Sequence, residues 1–400
     1  MHTKQDIGFL QLHRDADPVK LLFSSPKHPD IDMPWVVDQI EGRVQSAAKW
    51  PSLSDIDGIW YPPKLNREQS SSERLAQYKA GVVPEICRRL GIDSRELRLA
   101  DLTGGFGIDT LHLAQTAKKT DYVELNEALC QTARHNFKIL NAGNIECHNR
   151  DSISWIQDQD PVDIIYIDPA RRNENGKKVA AFEDCTPNLL ENLGLLMSKS
   201  RLLIVKASPM ISIAKALEQL PATIGVDVVS LKGECKEVIF YLSAQELPLT
   251  IRAVELNDET QKCESFTPEE EDEAASQVRF SSEAGKYLYE PNPAIMKAGC
   301  YNLTATRYSL SKLARNTHLY TSDVLNPDFP GRTFEIVAET KPKEILKLIP
   351  SKKAHVAVRN YPLSAAELQK KLRLQEGGAQ YVIGTTIGTT PKLFICNRIQ

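Results

Sequence analysis

The chain has 400 residues, 42% of them hydrophobic and 25% charged, with a net charge of −3, which favours two or three domains with ordinary cores. Its first residues lack the basic-then-apolar pattern of a secretory signal, and no apolar run is long enough to span a bilayer, so we expect a cytoplasmic protein without membrane contact. Eight scattered cysteines without a CxxC pair indicate neither a zinc cage nor a disulfide framework, and we expect no metal.

Residues 1–80 predict a helical N-terminal region, because they lack the alternation that is typical of strands. Apolar residues recur there at helical spacing in residues 33–49, namely Trp35, Val36, Ile40 and Val44. Ser70 and Glu73 form the pattern of a capping box, which predicts a helix that leads toward residue 98.

Residues 98–242 alternate between short apolar runs and helical patterns, which indicates an α/β domain with a parallel, doubly wound sheet. The predicted strands cover residues 98–102, 121–125, 144–147, 162–168, 201–206, 225–231 and 237–242. Only a short turn at 232–235 joins the last two strands, which predicts a final hairpin.

A glycine-rich turn follows the first of these strands, in Leu99-Ala-Asp-Leu-Thr-Gly-Gly-Phe-Gly-Ile-Asp109. Its glycines permit positive φ angles and let the backbone approach a ligand closely. Glu124 ends the second strand, where a carboxylate can accept hydrogen bonds from both hydroxyls of a ribose. These features suit any nucleotide-like ligand, including NAD, and the turn alone also suits a tight βα connection.

These signals, in this order, resemble the class I S-adenosylmethionine-dependent methyltransferases. The resemblance rests on Asp101-x-x-Gly104-Gly105-x-Gly107-x-Asp109, on acidic residues after the second and third strands, and on the final hairpin. It implies a seven-stranded Rossmann-like domain over 81–245 that binds S-adenosyl-L-methionine and releases S-adenosyl-L-homocysteine. The cofactor-binding residues that it implies are Asp101, Thr103, Gly104, Gly105, Gly107, Asp109, Glu124, Leu125, Asp151 and Ser152. An acidic residue of the turn would contact the cofactor's ammonium group, Glu124 its ribose and Asp151 its adenine amino group.

Asp168-Pro169-Ala170-Arg171 ends the fourth strand at the sheet edge where open α/β sheets bind their ligands. Enzymes of this class carry an Asp/Asn-Pro-Pro-aromatic sequence here, which holds and stacks on a base. The resemblance implies catalytic roles for Asp168, Pro169 and Arg171, although alanine and arginine replace the second proline and the aromatic residue.

Two further features of this edge leave alternatives open. A form ending in arginine also resembles 5-methyluridine enzymes, which need a nucleophilic cysteine, for which Cys185 and Cys235 are the candidates. Lys206 and Ser208 end the fifth strand on the same edge, where each either contacts substrate or only closes the end of the sheet.

The chain becomes basic toward its C-terminal end. Residues 297–400 hold 16 Lys or Arg and 7 Asp or Glu, a charge of +9, whereas the preceding residues sum to −12. A further strand is predicted over residues 249–256, and the acidic run 269–273 predicts a surface loop. A mixed β/α pattern follows from 333 to 397, with predicted strands over 334–338, 355–359, 380–385 and 393–396 and predicted helices over 343–348 and 364–372.

This C-terminal region resembles a ferredoxin-like segment, 246–325, followed by a THUMP-like domain, 326–400, as in a bacterial methyltransferase group. The resemblance implies RNA binding. Basic side chains would contact phosphates and Tyr361 would stack on a base; the basic set is Lys341, Lys343, Lys347, Lys352, Lys353, Arg359, Lys370, Lys371 and Arg373.

The sequence therefore predicts a methyltransferase that acts on a base in tRNA or rRNA, with no obligate protein partner. Two other hypotheses stay open. One is a methyltransferase that acts on a small molecule, and the other is a non-catalytic protein that binds RNA or the cofactor.

Overall fold

The computed structural model describes residues 3–93, 95–170 and 182–399. The chain divides into two units, Met1–Ile224 with Val238–Leu247, and Gly225–Glu237 with Pro248–Gln400. The first unit begins with helices, as the sequence predicts. These are α1 (Lys4–His13), α2 (Pro18–Ser24), α3 (Met33–Lys49), α4 (Pro51–Ser54), α5 (Lys64–Gln69) and α6 (Glu73–Arg89).

Strands and helices then alternate along the chain. In order they are β1 (Arg98–Asp101), α7 (Ile108–Leu113), β2 (Lys119–Val123), α8 (Glu127–Ile139), β3 (Ile145–His148), α9 (Ser152–Gln157), β4 (Val162–Ile167), α10 (Leu189–Ser198), β5 (Ser200–Ala207), α11 (Ile213–Gln219), β6 (Thr223–Leu231) and β7 (Glu234–Leu242). All seven predicted strands are present. Strands β4 and β5 are buried along most of their length, because helices cover both faces of a parallel sheet.

The sheet extends beyond the seven predicted strands. Two more strands follow in sequence, β8 (Thr250–Leu256) and β9 (Gln261–Phe266), and the hydrogen-bonded order is β3-β2-β1-β4-β5-β7-β6-β8-β9. Strand β7 runs antiparallel to β5, whereas β1, β2, β3, β4 and β5 pair in parallel. The predicted Rossmann-like core is confirmed, and two strands extend its sheet: β8, which matches the strand predicted over residues 249–256, and β9, which the sequence does not predict.

The remaining elements belong to the second unit, as do β8 and β9. They are α12 (Pro268–Gln277), β10 (Arg279–Phe280), β11 (Tyr287–Pro291), α13 (Pro293–Ala298), α14 (Tyr301–Arg307), β12 (Ser311–Lys312), β13 (Tyr320–Ser322), β14 (Gly331–Thr340), α15 (Ile345–Leu348), β15 (His355–Arg359), α16 (Ala365–Leu372), β16 (Gln380–Ile387) and β17 (Thr390–Arg398). The strands form a second sheet in the order β10-β12-β13-β11-β14-β17-β16-β15. The acidic run predicted as a loop lies in α12, where Thr267 and Glu270 form a capping box and the acidic side chains favour the helix N-terminus.

The N-terminal helices pack against the glycine-rich turn. Phe106 of the turn lies edge-on to Trp50, with ring centroids 5.0 Å apart, and Ile108 and Ala76 belong to the same apolar cluster. Helix α6 is present, but the predicted capping box is wrong, because Glu73 accepts a hydrogen bond from the Ser52 amide (2.9 Å). This packing ties the turn to the N-terminal helices.

The apolar pattern predicted for α3 is only partly correct. Trp35, Val36 and Ile40 are buried, but Val44 is exposed, and the buried face of the helix continues through Ser46 instead. Among the described residues, no helix is long and apolar enough to cross a membrane.

Candidate functional site

The glycine-rich turn between β1 and α7 needs its three glycines for different reasons. A Cβ on Gly104 would lie 2.1 Å from the ring of Tyr122, so this glycine permits close packing on β2. Gly107 has a φ of +85° and Gly105 a φ of +54°, values that favour glycine. At Gly105 the Cβ would enter open space, since its nearest neighbour would be the Thr103 carbonyl oxygen at 3.8 Å. Gly105 therefore offers a ligand an approach to the bare backbone.

Asp101 ends β1 and is buried. Its carboxylate accepts hydrogen bonds from the Thr103 amide (3.0 Å) and the Thr110 hydroxyl (2.6 Å), which ties both ends of the turn to the strand. Burial raises the pKa of Asp101 to about 7, and the negative charges of Asp109 and Asp168 add to this effect. The structure thus uses Asp101 to hold the turn.

Asp109 lies one residue into α7 and is surrounded by polar partners. One carboxylate oxygen accepts hydrogen bonds from Ser71 (2.8 Å) and from the Tyr166 hydroxyl (2.7 Å). The other lies 3.1 Å from the Lys79 ammonium group, which is itself buried. Burial raises the pKa of Asp109, but the charges of Lys79 and Lys206 outweigh it and lower the pKa to about 2. Asp109 is therefore ionised in this structure.

Asp168 follows β4, at the carboxyl edge that β4 shares with β1. Its amide donates to the Thr103 hydroxyl (2.7 Å), which links it to the turn, and its Oδ2 pairs with the ammonium group of Lys206 from β5. Its side chain is 28% exposed, and within the described residues Oδ1 has no hydrogen-bond partner. The site therefore presents an accessible carboxylate oxygen beside a buried cation.

The rest of the Asp168 loop is described in part. Pro169 is buried, and the exposed Ala170 exchanges backbone hydrogen bonds with Thr186 (2.8 and 3.1 Å). The predicted catalytic residue Arg171 lies outside the described residues.

Glu124 and Leu125 follow β2. The two carboxylate oxygens of Glu124 accept hydrogen bonds from the amides of Gly105 (2.9 Å) and Asn126 (2.7 Å), which places this half-buried acid against the open side of the turn. Leu125 is 69% exposed, which leaves an apolar side chain uncovered beside a carboxylate. This pairing of charge and apolar surface suits a sugar and a flat base.

Asp151 and Ser152 follow β3, which pairs in parallel with β2. Asp151 is exposed and caps α9 by accepting hydrogen bonds from the amide and hydroxyl of Ser154 (2.8 and 2.9 Å), while Ser152 is buried. Asp151 thus acts as the N-cap of α9 in this structure.

The structure brings most of the predicted residues to one edge of the sheet. It also brings there three residues that are not among the predicted site residues, namely Ser71, Lys79 and Tyr166. Lys79 carries a sequence signal, because it lies on the apolar face of α6 between Leu75 and Val83, at the spacing of one helical turn. A charged residue at such a position requires a buried partner.

Of the two candidate cysteine nucleophiles, Cys235 is not favoured. Burial raises the pKa of the Cys235 thiol to about 11, and nucleophilic cysteines have lowered pKa values. Cys185 is half-buried. The interpretation as a 5-methyluridine enzyme therefore receives no support from these thiols.

One group of metal-ligating side chains occurs among the described residues, on the neighbouring strands β2 and β3. Asp121, Glu146 and His148 place their ligand atoms within 4.8 Å of one another. The ammonium group of Lys119 lies 2.8 Å from Glu146 and 3.6 Å from Asp121, so a cation already balances these acids.

The sheet order, the antiparallel strand β7 between β5 and β6, and the acid-lined glycine turn define a Rossmann-like methyltransferase of class I. Two family comparisons match the C-terminal part: a ferredoxin-like domain over residues 287–330 and a THUMP domain-like family over residues 331–398.

The whole chain is similar to a solved structure from Porphyromonas gingivalis W83, described as a candidate methyltransferase. The identity is 30%, the coverage 100% of both chains and the TM-score 0.83. It is also 24% identical over 364 residues to an uncharacterized S-adenosylmethionine-dependent methyltransferase of Mycobacterium tuberculosis H37Rv, covering 89% of this chain and 93% of the relative. The chain belongs to the S-adenosylmethionine-dependent methyltransferases that carry ferredoxin-like and THUMP-like domains at the C-terminal end.

Proposed function

We propose that this protein transfers a methyl group from S-adenosylmethionine to a base in tRNA or rRNA. The observation that carries the proposal is the single sheet edge on which an open glycine turn, the Glu124 carboxylate and the accessible Asp168 carboxylate lie together. The site supports methyl transfer, and the basic C-terminal part supports RNA as the substrate.

The residues of the turn fit the cofactor. Gly105 leaves open the space that a Cβ would fill, and Glu124 and Leu125 offer a carboxylate and an apolar surface beside it. Asp151 would lie at the adenine end. Thr103, Gly104, Gly107, Asp101 and Asp109 would hold the turn in shape, with Ser152 at the start of α9. When bound, the cofactor supplies an activated methyl group.

The chain's own contribution to transfer is then orientation and removal of a proton. Asp168 would accept a hydrogen bond from the substrate through Oδ1, while Lys206 and Thr103 hold its carboxylate and its backbone in place. Pro169 would stiffen the loop, and Arg171 would contact substrate phosphate. Alignment of nucleophile and methyl group accounts for much of the rate in such a reaction.

The C-terminal unit supports RNA as the partner. Most of the predicted basic set is exposed, namely Lys341, Lys343, Lys347, Lys352, Lys353, Lys370, Lys371 and Arg373. Exposed lysines can neutralise phosphates and release counterions, which favours a polyanion. The charge of +9 on residues 297–400 points the same way.

We also retain the predicted division of the chain as part of this proposal. A helical region (1–80), a methyltransferase domain (81–245), a ferredoxin-like segment (246–325) and a THUMP-like domain (326–400) would act together in the cytoplasm, without an obligate protein partner.

Mass spectrometry of RNA nucleosides from a deletion strain and its parent tests the proposal. We expect one methylated nucleoside to disappear and to return with the wild-type gene but not with Asp168→Asn, which keeps the size of the side chain. Unchanged nucleosides in every RNA fraction would refute RNA methylation.

Incubation of the purified protein with labelled cofactor separates the alternatives. Transfer of label to a metabolite extract and not to RNA would favour the small-molecule methyltransferase. Absence of saturable cofactor binding by calorimetry would favour a non-catalytic protein.

A further inference from the structure

The carboxylate that faces the substrate is paired with a buried cation. Lys206 ends β5 with only 6% of its side chain exposed, and its ammonium group contacts Oδ2 of Asp168. The Lys206 charge also acts on Asp109, where it helps to lower the pKa. The site therefore combines an accessible acceptor, Asp168 Oδ1, with a fixed positive charge next to it.

Such a pair matches a lactam, the –NH–C(=O)– group of a nucleobase. The ring N–H donates to a carboxylate, and when the proton leaves, negative charge spreads onto the adjacent carbonyl oxygen. A fixed cation in a partly buried site stabilises that developing charge. Guanine at N1 and uracil at N3 carry this group.

We propose that the Lys206–Asp168 pair directs methylation to the ring nitrogen of a lactam base, guanine N1 or uracil N3. This inference rests on the proposed function and specifies its substrate class. Lys206 acts as a positioning and charge-stabilising residue, and Asp168 as the proton acceptor.

The step balances as follows. The ring N–H proton passes to Oδ1 of Asp168. The ring nitrogen's electron pair forms the bond to the methyl carbon while the carbon–sulfur bond breaks, with its electron pair remaining on sulfur. The proton on Asp168 is then lost to water, and the methylated base and S-adenosylhomocysteine leave.

The Lys206–Asp168 pair is less suited to methyl transfer onto exocyclic amines. The amino groups of adenine and cytosine also donate to a carboxylate, but methyl transfer to them builds positive charge on nitrogen. The Lys206 charge would oppose that development at short range. The same electrostatic effect therefore favours one class of base and disfavours the other.

The first test identifies the product. RNA from the deletion strain is methylated by the purified full-length protein and analysed by mass spectrometry. Formation of 1-methylguanosine or 3-methyluridine supports the inference. Methylation of an exocyclic amine or of a base carbon overturns the inference and leaves the proposed function intact. Methylation of a ribose, or no methylated nucleoside, refutes the proposed function itself.

The second test asks whether Lys206 acts by its charge. We expect Lys206→Met to lower the transfer rate at pH 7 by about 10²-fold, the typical effect of removing one oxyanion donor. The loss should shrink as pH rises, because solution ionisation of the lactam replaces the missing stabilisation. Lys206→Arg should restore most of the rate.

Lys118→Met is the matched control, since Lys118 is exposed, precedes β2 and pairs with Glu96 on the surface. Thermal unfolding and cofactor binding by calorimetry show that each variant is folded and loaded. A Lys206→Met rate that is lowered equally at every pH, or that Lys206→Arg does not restore, overturns the inference.

Discussion

The buried ion pair between Lys79 and Asp109 makes a strong prediction about stability. Lys79 is 2% exposed, and its ammonium group lies 3.1 Å from Asp109. Replacing Lys79 by methionine keeps the aliphatic bulk but leaves a buried carboxylate without its main counter-charge. Breaking a buried ion pair in this way lowers the free energy of unfolding by about 3–5 kcal/mol. Because the Lys206 charge still acts on Asp109, we expect a loss at the lower end, about 3 kcal/mol.

Tryptophan fluorescence is a suitable assay, because all four tryptophans, at 35, 50, 60 and 155, lie in the first unit. Urea unfolding at pH 7 should show the loss directly. The thermal midpoint should fall by roughly 6–12 °C, as expected for about 3 kcal/mol in a unit of this size.

The loss should depend on pH with a definite sign. In the wild type the pKa of Asp109 is about 2, below its unfolded value, so its contribution is full above about pH 4 and is lost as pH falls toward 2. In Lys79→Met, burial raises the pKa of Asp109 above the unfolded value. On acidification Asp109 is therefore protonated at a higher pH in the variant than in the wild type. The difference in unfolding free energy between the two proteins should become smaller as the pH falls.

The control is the double variant with Asp109→Asn, which removes the charge that Lys79 balances. The double variant should be less destabilised than the sum of the single variants by at least about 1 kcal/mol, within the range of coupling in a buried network. Additive effects, or a deficit that is independent of pH, would refute this account of the site.

Three further predictions concern other parts of the chain. Arg67 is 1% exposed and pairs with Asp38 and Glu41, so Arg67→Met should lower the free energy of unfolding by about 3 kcal/mol, measured by the same tryptophan fluorescence. Arg95→Met, at an exposed ion pair, should change that free energy little. Burial lowers the pKa of His318 to about 4, so the stability of the second unit should fall as pH drops from about 6.5 to 4. Hydrogen exchange of the β13 amides measures this loss of stability, and the loss should be smaller in His318→Asn. RNA affinity should weaken steeply as the salt concentration rises. The double variant Lys370→Glu, Lys371→Glu should bind RNA more weakly and should reduce the slope of log affinity against log salt concentration by about 1–2, whereas the control Lys118→Glu should not. An unchanged slope in the double variant would exclude these two lysines from the interface.

The sequence predicts the large sheet well, because its central strands are buried on both faces and appear as short apolar runs between helices. Strand β15 and helix α16 are also close to their predicted bounds. The short strands β10, β12 and β13 were not predicted, since they have two or three residues each and form only within a sheet. Helix α12 was missed because an acidic run reads as a solvated surface, whereas its capping box and its contact with α14 decide the structure.

The site is predictable to the extent that strand ends define it. Asp101 and Asp168 are residues at the ends of neighbouring parallel strands, and the topology alone brings them to one edge. Their partners are not predictable in this way. Ser71 and Lys79 lie on or before a helix that precedes the sheet in sequence, and only the packing of α6 on α7 places them beside Asp109.

Because the space beside Gly105 is open, a substitution there can distinguish a role of the turn in ligand binding from a role in folding. Gly105→Ala places a Cβ where no protein atom lies closer than 3.8 Å, so its cost to folding is only the strain of a φ of +54°, about 1–2 kcal/mol. If the cofactor lies against this turn, the same methyl group would also occupy its space. We therefore expect Gly105→Ala to weaken cofactor binding at least about tenfold by calorimetry, beyond any loss of stability, since about 1.4 kcal/mol of lost contact suffices.

Gly91 provides the matched control for Gly105. Its φ is +60°, a Cβ there would also meet nothing within 4 Å, and it lies before β1, at the opposite end of that strand from the glycine-rich turn. Gly91→Ala should thus lower the unfolding midpoint as much as Gly105→Ala while leaving cofactor affinity unchanged. Equal cofactor affinities in the two variants would mean that the turn is a βα connection and that the cofactor binds elsewhere.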